Sequence, residues 1–171
     1  MSIKSKITAL VTTVALCSIG LALYSLSVMS TYQLIMCSTG EQGFRAPPSA
    51  CDVYLKQFRY NEQGVNDLAE GGLDPILNLD GNLKYDIAQA FINEGLEVDA
   101  GNSYLPSPHN TLTPLQINVI TKNVANLKFL LSNGASVESS LDLVNSLMMK
   151  DSDPALVEIK KLLSDSTNVN S

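Results

Sequence analysis

Residues 113–137 read TPLQINVITKNVANLKFLLSNGASV, and their spacing predicts two short helices joined by a turn. Thr113 can cap the first helix with its hydroxyl group, and Pro114 suits the first helical position because it has no amide hydrogen to bond. The pair Lys122–Asn123 makes the turn, and Gly134 supplies the left-handed residue that ends the second helix. Neither helix is long enough to bury its inner side alone, so this unit needs neighbours. The inner sides are formed by Leu115, Asn118 and Val119 on the first helix and by Leu127, Leu130 and Leu131 on the second.

This spacing resembles the ankyrin repeat, whose family pattern is T-P-L-H-x-A, then a leucine pair, then G-A. Gln116 stands where the family usually has His. Asn118 replaces a packed Ala, so it requires a buried partner or costs stability. Lys122 replaces the usual turn Gly, and we therefore expect Asn123 to take the left-handed backbone position instead. Eight residues stand at the family's intervals: Thr113, Pro114, Leu115, Leu127, Leu130, Leu131, Gly134 and Ala135.

An earlier copy of this pattern precedes the quoted segment at a constant offset of 39 residues. The Asp-Pro-Ile of residues 74–76 aligns with its opening Thr-Pro-Leu, and residues 91–95 align with its leucine pair and closing Gly. Ankyrin units usually run about 33 residues, so about six residues are extra. They fall in the loop of residues 99–112, DAGNSYLPSPHNTL, where Pro106 and Pro108 disfavour regular structure.

Further helices are predicted on both sides of these two copies. Pro48 starts a helix, residues 61–64 break it, and residues 65–70 form a short helix that ends at a Gly-Gly pair. Asp153 opens the last helix, and an atypical final unit is typical of a C-terminal cap. The apolar side of the first helix is formed by Val53, Tyr54, Leu55 and Phe58. The inner side of the penultimate helix is formed by Leu141, Val144 and Leu147.

The sequence thus predicts an all-α protein, in which a short ankyrin-like stack of roughly three or four helix pairs follows an N-terminal transmembrane helix. Residues 1–36 are the predicted membrane anchor or signal segment, and residues 37–47 are a linker. The repeat domain is predicted over residues 48–165, and residues 166–171 are predicted to be a disordered tail.

The N-terminal run of residues 7–40 carries no charge, and its most apolar part, residues 7–29, is long enough to span a bilayer as a helix. A cleaved secretory signal is the alternative, with Ser25 and Ser27 as weak cleavage-site residues. A lipoprotein is disfavoured, because neither Cys17 nor the next cysteine follows the small residue that lipid attachment requires. An uncleaved anchor is therefore favoured.

Charge and cysteine usage both favour export of the body of the chain. Lys4 and Lys6 precede the apolar run, so the positive-inside rule favours a cytoplasmic N-terminus. We expect a single-pass protein of the bacterial inner membrane with its C-terminal domain in the periplasm. There Cys37 and Cys51 can close their intervening loop as a disulfide. Two free buried thiols are the alternative, and no CxxC or His pair accompanies them to form a metal site.

Composition argues against several classes of function. Residues 41–171 carry nine Lys and Arg against 17 Asp and Glu, with no basic stripe, which excludes nucleic acid and favours a partner with a basic face. A solvated acidic surface without a partner is the alternative. His109 is the sole histidine, Gly71–Gly72 lacks the strand and Lys of a phosphate loop, and Asp151 and Asp153 suit helix capping. No catalytic residue, metal ligand or cofactor is predicted, and we expect no enzymatic activity.

The ankyrin resemblance implies a scaffold that binds another protein, because that family's functions are interactions. An exported, acidic stack on a single anchor is also similar to bacterial immunity proteins, which neutralise a toxin delivered into the periplasm. We therefore expect a membrane-tethered periplasmic protein-binding module that inhibits a toxic effector. The alternative is an accessory structural subunit of an inner-membrane protein complex, with the apolar helix packed against other membrane helices.

The loop of residues 99–112 is the predicted binding surface, since insertions in repeat stacks gather on one face that is often the binding face. Tyr104 and Leu105 are the expected apolar anchors, and His109 and Asn110 are expected to add polar contacts. The alternative is that Tyr104 and Leu105 fold back onto the helices and cover the core.

Overall fold

A computed structural model describes residues 3–41, 43, 46–150 and 153–169, and over these residues the chain is helical and has no strand. The predicted all-α class is therefore confirmed for the described part of the chain. A short 3-10 turn, His109–Thr111, lies in the loop of residues 99–112. The described α-helices are α1 (Ile3–Ser27), α2 (Thr31–Ser38), α3 (Pro48–Phe58), α4 (Glu62–Leu68), α5 (Asp74–Leu77), α6 (Leu83–Asn93), α7 (Pro114–Ile120), α8 (Val124–Ser132), α9 (Glu138–Met148) and α10 (Pro154–Val169).

The chain divides into two compact units, Met1–Arg59 and Tyr60–Ser171. The first unit contains α1, α2 and α3, and the second contains the remaining helices. Each unit has buried apolar side chains of its own.

In the first unit, the long apolar run is divided between α1 and α2. The division occurs because Ser30 begins a new helix: its Oγ accepts from the Gln33 N–H (3.2 Å), and Gln33 Oε1 accepts from the Ser30 N–H (2.9 Å). No single helix among the described residues is both long and apolar enough to cross a membrane. The segments Thr12–Ser27 and Thr31–Ser38, bent by 115°, pass as a pair by length and composition. The transmembrane anchor therefore stays a prediction.

A disulfide joins α2 to α3. Cys37 and Cys51 form it with their Cα atoms 5.8 Å apart, and both side chains are buried. The pairing expected from the sequence is thus present in the structure. Leu34, Ile35 and Leu55 are buried in the core of the same unit. The bond therefore lies inside the contact between α2 and α3.

The predicted apolar side of α3 was wrong in part. Leu55 is buried, but Val53 and Phe58 are 59% and 54% exposed. The reason is that only the side of α3 bearing Cys51 and Leu55 packs against α2. The break after α3 is also shorter than expected, because Asn61 caps α4 through the Gly64 N–H and the helix begins at Glu62.

The second unit is built from consecutive helix pairs. α5 packs with α6, α7 with α8, and α9 with α10; α7 also packs on α9, and α8 on α10. The α7–α8 pair and the α9–α10 pair therefore lie against each other. The fully buried apolar core of this unit includes Leu73, Ile76, Leu77, Ile87, Phe91, Leu115, Val119, Leu127, Leu130, Val144, Leu156 and Leu163.

The α7–α8 pair follows the sequence prediction except at its turn and at Leu131, which is half-buried instead of lying on the buried inner side. Thr113 caps α7 through the Gln116 N–H, and Gln116 returns the bond by accepting from the Thr113 N–H (2.9 Å). Gly134 ends α8 with φ +83°, as expected. The expectation for the turn was wrong: Lys122 itself takes the left-handed position with φ 57°, and Asn123 caps α8 through the Asn126 N–H. Asn123 cannot do both, because an N-cap residue needs φ below zero.

The buried Asn118 has the partner that its polar side chain requires. Its Nδ2 donates to Pro114 O (2.8 Å), and its Oδ1 accepts from Asn126 Nδ2 (2.9 Å). Asn126 Nδ2 also donates to Leu77 O (3.1 Å), and Asn126 Oδ1 accepts from the Tyr85 hydroxyl (2.9 Å). Burial raises the pKa of the Tyr85 phenol, which keeps it a donor. This amide network joins the α5–α6 pair to the α7–α8 pair inside the core.

The last helix begins at a capping carboxylate. Asp153 Oδ1 accepts from the Ala155 N–H (2.8 Å), and Asp153 Oδ2 pairs with Lys122 Nζ (2.7 Å). Its expected partner in capping, Asp151, lies outside the described residues. α10 continues through Val169, so its final turn includes residues that the sequence predicts as a polar tail.

Candidate partner-binding loop

The loop of residues 99–112 is fixed at its start by a buried carboxylate. Asp74 begins α5 and is 3% exposed. Asn102 Nδ2 donates to Asp74 Oδ2 (2.8 Å), and Asn78 Nδ2 donates to Asp74 Oδ1 (3.2 Å). Asn102 Oδ1 in turn accepts from the Tyr104 N–H (3.1 Å). The backbone of Tyr104 is therefore linked through Asn102 to the buried carboxylate of Asp74, both oxygens of which are hydrogen-bonded.

The next contact holds the loop against the end of α4. Ser103 donates twice to Glu70 O, from its N–H (2.8 Å) and from its Oγ (2.7 Å). Gly72 lies so close to the loop that a Cβ there would stand 2.5 Å from Ala100 O, and its φ is +56°. Only glycine satisfies both conditions. The Gly71–Gly72 pair thus serves close packing of the loop.

The ends of the loop meet each other and the following helix pair. Asp99 accepts from the Ser136 N–H through both carboxylate oxygens (3.2 and 3.1 Å). A Cβ on Gly101 would stand 3.2 Å from Asn110 O and from Leu112 O, so the two arms of the loop lie in close contact. The loop is therefore fastened to the turn after α4, to α5 and to the turn before α9.

Tyr104 projects from this fixed backbone. Its side chain is 68% exposed. The pKa of the Tyr104 phenol is raised, chiefly because its hydroxyl hydrogen-bonds to the Glu70 side chain, and further by desolvation and by the Glu70 charge. The ring lies close to Gly71, where a Cβ would stand 3.3 Å from Cε2. The expectation that polar neighbours leave Tyr104 exposed is confirmed.

The other three predicted contact residues lie on the same loop with different exposure. Leu105 is half-buried, which agrees in part with the alternative that its side chain folds back and covers the core. His109 and Asn110 are exposed within the 3-10 turn, where the His109 N–H donates to Pro106 O (2.9 Å). Exposure of Tyr104, His109 and Asn110 makes them available to a partner.

The surroundings of the loop are strongly acidic. Residues 60–121, which contain α4 to α7 and the loop, carry nine Asp and Glu against a single Lys or Arg, Lys84. Lys84 Nζ donates to Leu77 O (2.8 Å). A cationic partner would therefore approach this half of the second unit favourably.

The described residues hold no group of three or more His, Cys, Asp or Glu placed to bind a metal ion. Comparison of the chain with the models of known protein families, with curated proteins and with solved structures found no match. The function is therefore inferred from the residues and their geometry.

Sequence spacing did not reveal the residues that fix the loop. Asp74, Asn102 and Ser103 match no motif for this role, and the sequence pattern of Gly71–Gly72 indicates only a helix end and an incomplete phosphate loop. The available signal is the Gly-Gly pair, which commonly marks a close approach of another backbone. The partner of that approach, Ala100, lies in a distant part of the sequence, so spacing alone does not identify it.

Proposed function

We propose that this chain is a membrane-tethered periplasmic protein-binding module, with an ankyrin-like helical stack that presents residues 99–112 to its partner. The observation that carries the proposal is Tyr104, an exposed aromatic residue on a backbone that Asp74, Asn102 and Ser103 already hold in place. Exposed Tyr side chains are frequent interface anchors. A loop that is fixed before binding loses little conformational entropy on association.

The helix pairs support the ankyrin-like part of the proposal. α7 and α9 pack together, as do α8 and α10, which is the neighbour-to-neighbour contact of a repeat stack. Gly95 and Gly134 both have positive φ and close their helices 39 residues apart, in agreement with the internal repeat. The loop lies in the connection between two such units, where repeat stacks carry insertions.

Two features support the membrane and periplasmic part. The uncharged N-terminal run passes the length and composition test as the bent pair of Thr12–Ser27 and Thr31–Ser38. The disulfide between Cys37 and Cys51 favours an oxidising compartment. N-terminal sequencing of the mature protein from membranes tests the uncleaved anchor, and a start between residues 28 and 38 would contradict it.

An immunity protein that neutralises a toxic effector is the form of this function that we favour. The acid-rich half of the second unit suits a basic effector, as charge complementarity accelerates association and rejects wrong partners. An accessory subunit of an inner-membrane complex is the second candidate, because Leu10, Leu16 and Leu21 on α1 are 65–68% exposed and could pack on other membrane helices.

The proposal is tested by purification of the full chain from membranes with its bound proteins. Tyr104→Ala should lose the partner while retaining the stability of the wild type. Met149→Ala is the matched control, since Met149 is 82% exposed and lies outside the loop. A partner retained by Tyr104→Ala contradicts the loop as the site. A secreted toxin as the recovered protein supports immunity, and membrane components support the subunit.

A further inference from the structure

α3 has three chemically different sides. Cys51 and Leu55 face α2 and are buried. Lys56, whose side chain is 53% exposed, forms an ion pair with the half-buried Asp52 (2.8 Å). Because the helical repeat places residues two positions apart about 200° from each other, Tyr54 lies opposite that pair. Phe58 lies on this third side one turn after Tyr54, and Val53 lies at its edge; both are largely exposed.

The third side of α3 borders an apolar groove. The groove has a volume of about 450 Å³, and α1 forms its other wall through Ile19, Leu23 and Leu26. Tyr54 and Phe58 line it together, with their ring centroids 4.7 Å apart. An exposed apolar surface of this kind is unfavourable in water and marks a site of interaction.

The groove is continuous with the exposed apolar surface of α1. Ile19 and Leu23 line the groove while being 57% and 50% exposed, and Leu16, one turn earlier on the same side of α1, is 65% exposed. Residues 7–40 bring no charge into it. The groove is therefore open to the same surroundings, water or lipid, as this part of α1.

Polar groups mark one end of this apolar surface. Arg59 donates through Nη2 to Ser27 O (3.3 Å) and to Met29 O (3.2 Å), at the point where α1 ends. Tyr24, in the last turns of α1, is 67% exposed. Tyr and Arg at the end of an apolar segment are typical of the level of the lipid headgroups.

The two units of the chain differ in the sign of their net charge. Residues 1–59 carry five Lys and Arg against two Asp and Glu, whereas residues 60–171 carry six against 15. The first unit is thus cationic and the second acidic. Lys4 and Lys6 precede the apolar run, and Arg45, Lys56 and Arg59 follow it, so cations flank the apolar surface at both ends, as suits anionic headgroups on the two sides of a bilayer.

We propose that α3 lies in the lipid–water interface and that lipid fills the groove between α1 and α3. Tyr54 and Phe58 face the acyl chains, with Val53 at the edge of the groove, and Lys56 faces water. This inference rests on the membrane tether proposed above and extends it: the tether comprises α1 together with a second, lipid-contacting helix that the disulfide of Cys37 and Cys51 holds in place.

The test uses the absence of tryptophan from the chain, which gives each single-Trp variant a fluorescence signal without background. The full-length protein is reconstituted in vesicles of phosphatidylethanolamine and phosphatidylglycerol that carry nitroxide-labelled acyl chains. Phe58→Trp and Tyr54→Trp probe the groove side of α3. Lys56→Trp is the matched control on the opposite side of the same helix, and Leu16→Trp reports the tether itself. Non-reducing peptide mapping confirms the disulfide in each variant.

The proposal predicts that lipid nitroxides quench Phe58→Trp and Tyr54→Trp several-fold more than Lys56→Trp. Strong quenching of Leu16→Trp, with the two groove variants behaving like Lys56→Trp, overturns this inference and leaves the tether standing. Loss of quenching in all four variants overturns the tether as well. Groove variants that are shielded from aqueous acrylamide but not quenched by lipid show that protein fills the groove, which also overturns the inference. If Phe58→Trp loses the disulfide, Tyr54→Trp decides the outcome.

Discussion

Asn126 joins two helix pairs of the second unit through a single amide. Its side chain is fully buried and contacts Asn118, Tyr85 and the carbonyl of Leu77. Each of these groups would lose this hydrogen bond inside the core if the amide were removed. A buried polar group without a hydrogen bond costs more than the bond itself contributes.

We therefore predict that Asn126→Ala lowers the free energy of unfolding by about 1–3 kcal/mol. The expected loss is measured by urea unfolding of the full chain and by hydrogen exchange of residues 113–137. Gln89→Ala is the matched control, because Gln89 also bonds an amide, Asn93, but at the surface of α6. Equal effects of the two variants would show that the buried network contributes nothing beyond helix propensity.

Asp153 makes the stability of the second unit depend on pH in the acidic range. The pKa of its carboxyl group is lowered, first by the hydrogen bond from Lys122 and then by the Ala155 N–H. A group whose folded pKa is depressed stabilises the fold above its unfolded pKa, and this contribution is lost as the pH falls through the folded pKa. The ordinary value is 3.8, so the loss begins as the pH approaches that value and is completed below the lowered pKa.

The prediction is that the wild type loses more stability than Asp153→Asn between about pH 5 and about pH 2. At neutral pH the variant should be the less stable of the two. Urea midpoints measured across this range check both statements. Glu158→Gln is the control, since its pair with Lys128 is solvent-exposed on both sides. Parallel pH profiles for wild type and Asp153→Asn would refute the assignment.

The α7–α8 unit shows which structural features local sequence rules can predict and which they cannot. Thr113, Pro114 and Gly134 occupy the positions that capping and left-handed backbone rules assign to them. The rules did not choose correctly between Lys122 and Asn123, because both are acceptable turn residues in isolation. The choice is made by their partners: Lys122 reaches Asp153, while Asn123 is required at the start of α8.

Gly134 allows a test of the backbone rule without interference from packing. Its φ is +83°, and a Cβ added there would meet nothing within 4 Å. Gly134→Val should therefore destabilise by about 1–2 kcal/mol through backbone strain alone. Gly134→Asn should cost less, because Asn tolerates this conformation. Thermal unfolding of both variants provides the comparison, and a harmless Gly134→Val would remove α8 from the repeat assignment.

Longer-range features of the fold could not be predicted from the sequence. The Ser30–Gln33 capping box that divides α1 from α2 has a recognisable pattern, but the uncharged run around it conceals the helix boundary. The apolar pattern of α3 does not reveal which of its sides packs against α2. Asn102 and Asp74 are 28 residues apart in the sequence, and no repeating pattern of residue types indicates that they are in contact. The exposed Tyr104 could be predicted, whereas its supports could not.

The disulfide ties α2 to α3 across 14 residues. Closing a loop of this size reduces the entropy of the unfolded chain, and we predict that it contributes about 3 kcal/mol. Cys37→Ala with Cys51→Ala should lower stability by that amount, and Cys17→Ala is the control because Cys17 is exposed and free. Recovery of both Cys37 and Cys51 as quantitatively alkylated thiols, without a reductant, would rule the bond out.

The whole chain combines a cationic, apolar N-terminal unit with an acidic, helical C-terminal unit. This division suits the two tasks that we propose: attachment to an anionic lipid surface and binding of a protein partner. Under the proposed function, the loop of residues 99–112 carries out the second task. Its most exposed apolar residue is Tyr104.

The most direct test is site-specific photocrosslinking in intact cells, with a photoreactive phenylalanine in place of Tyr104 and, separately, in place of Met149. We predict a covalent adduct with another protein at position 104, recovered in the membrane fraction, and none at position 149. Equal crosslinking at both positions, or an adduct-free protein at position 104 under conditions where the chain is folded and disulfide-bonded, would contradict the proposed function.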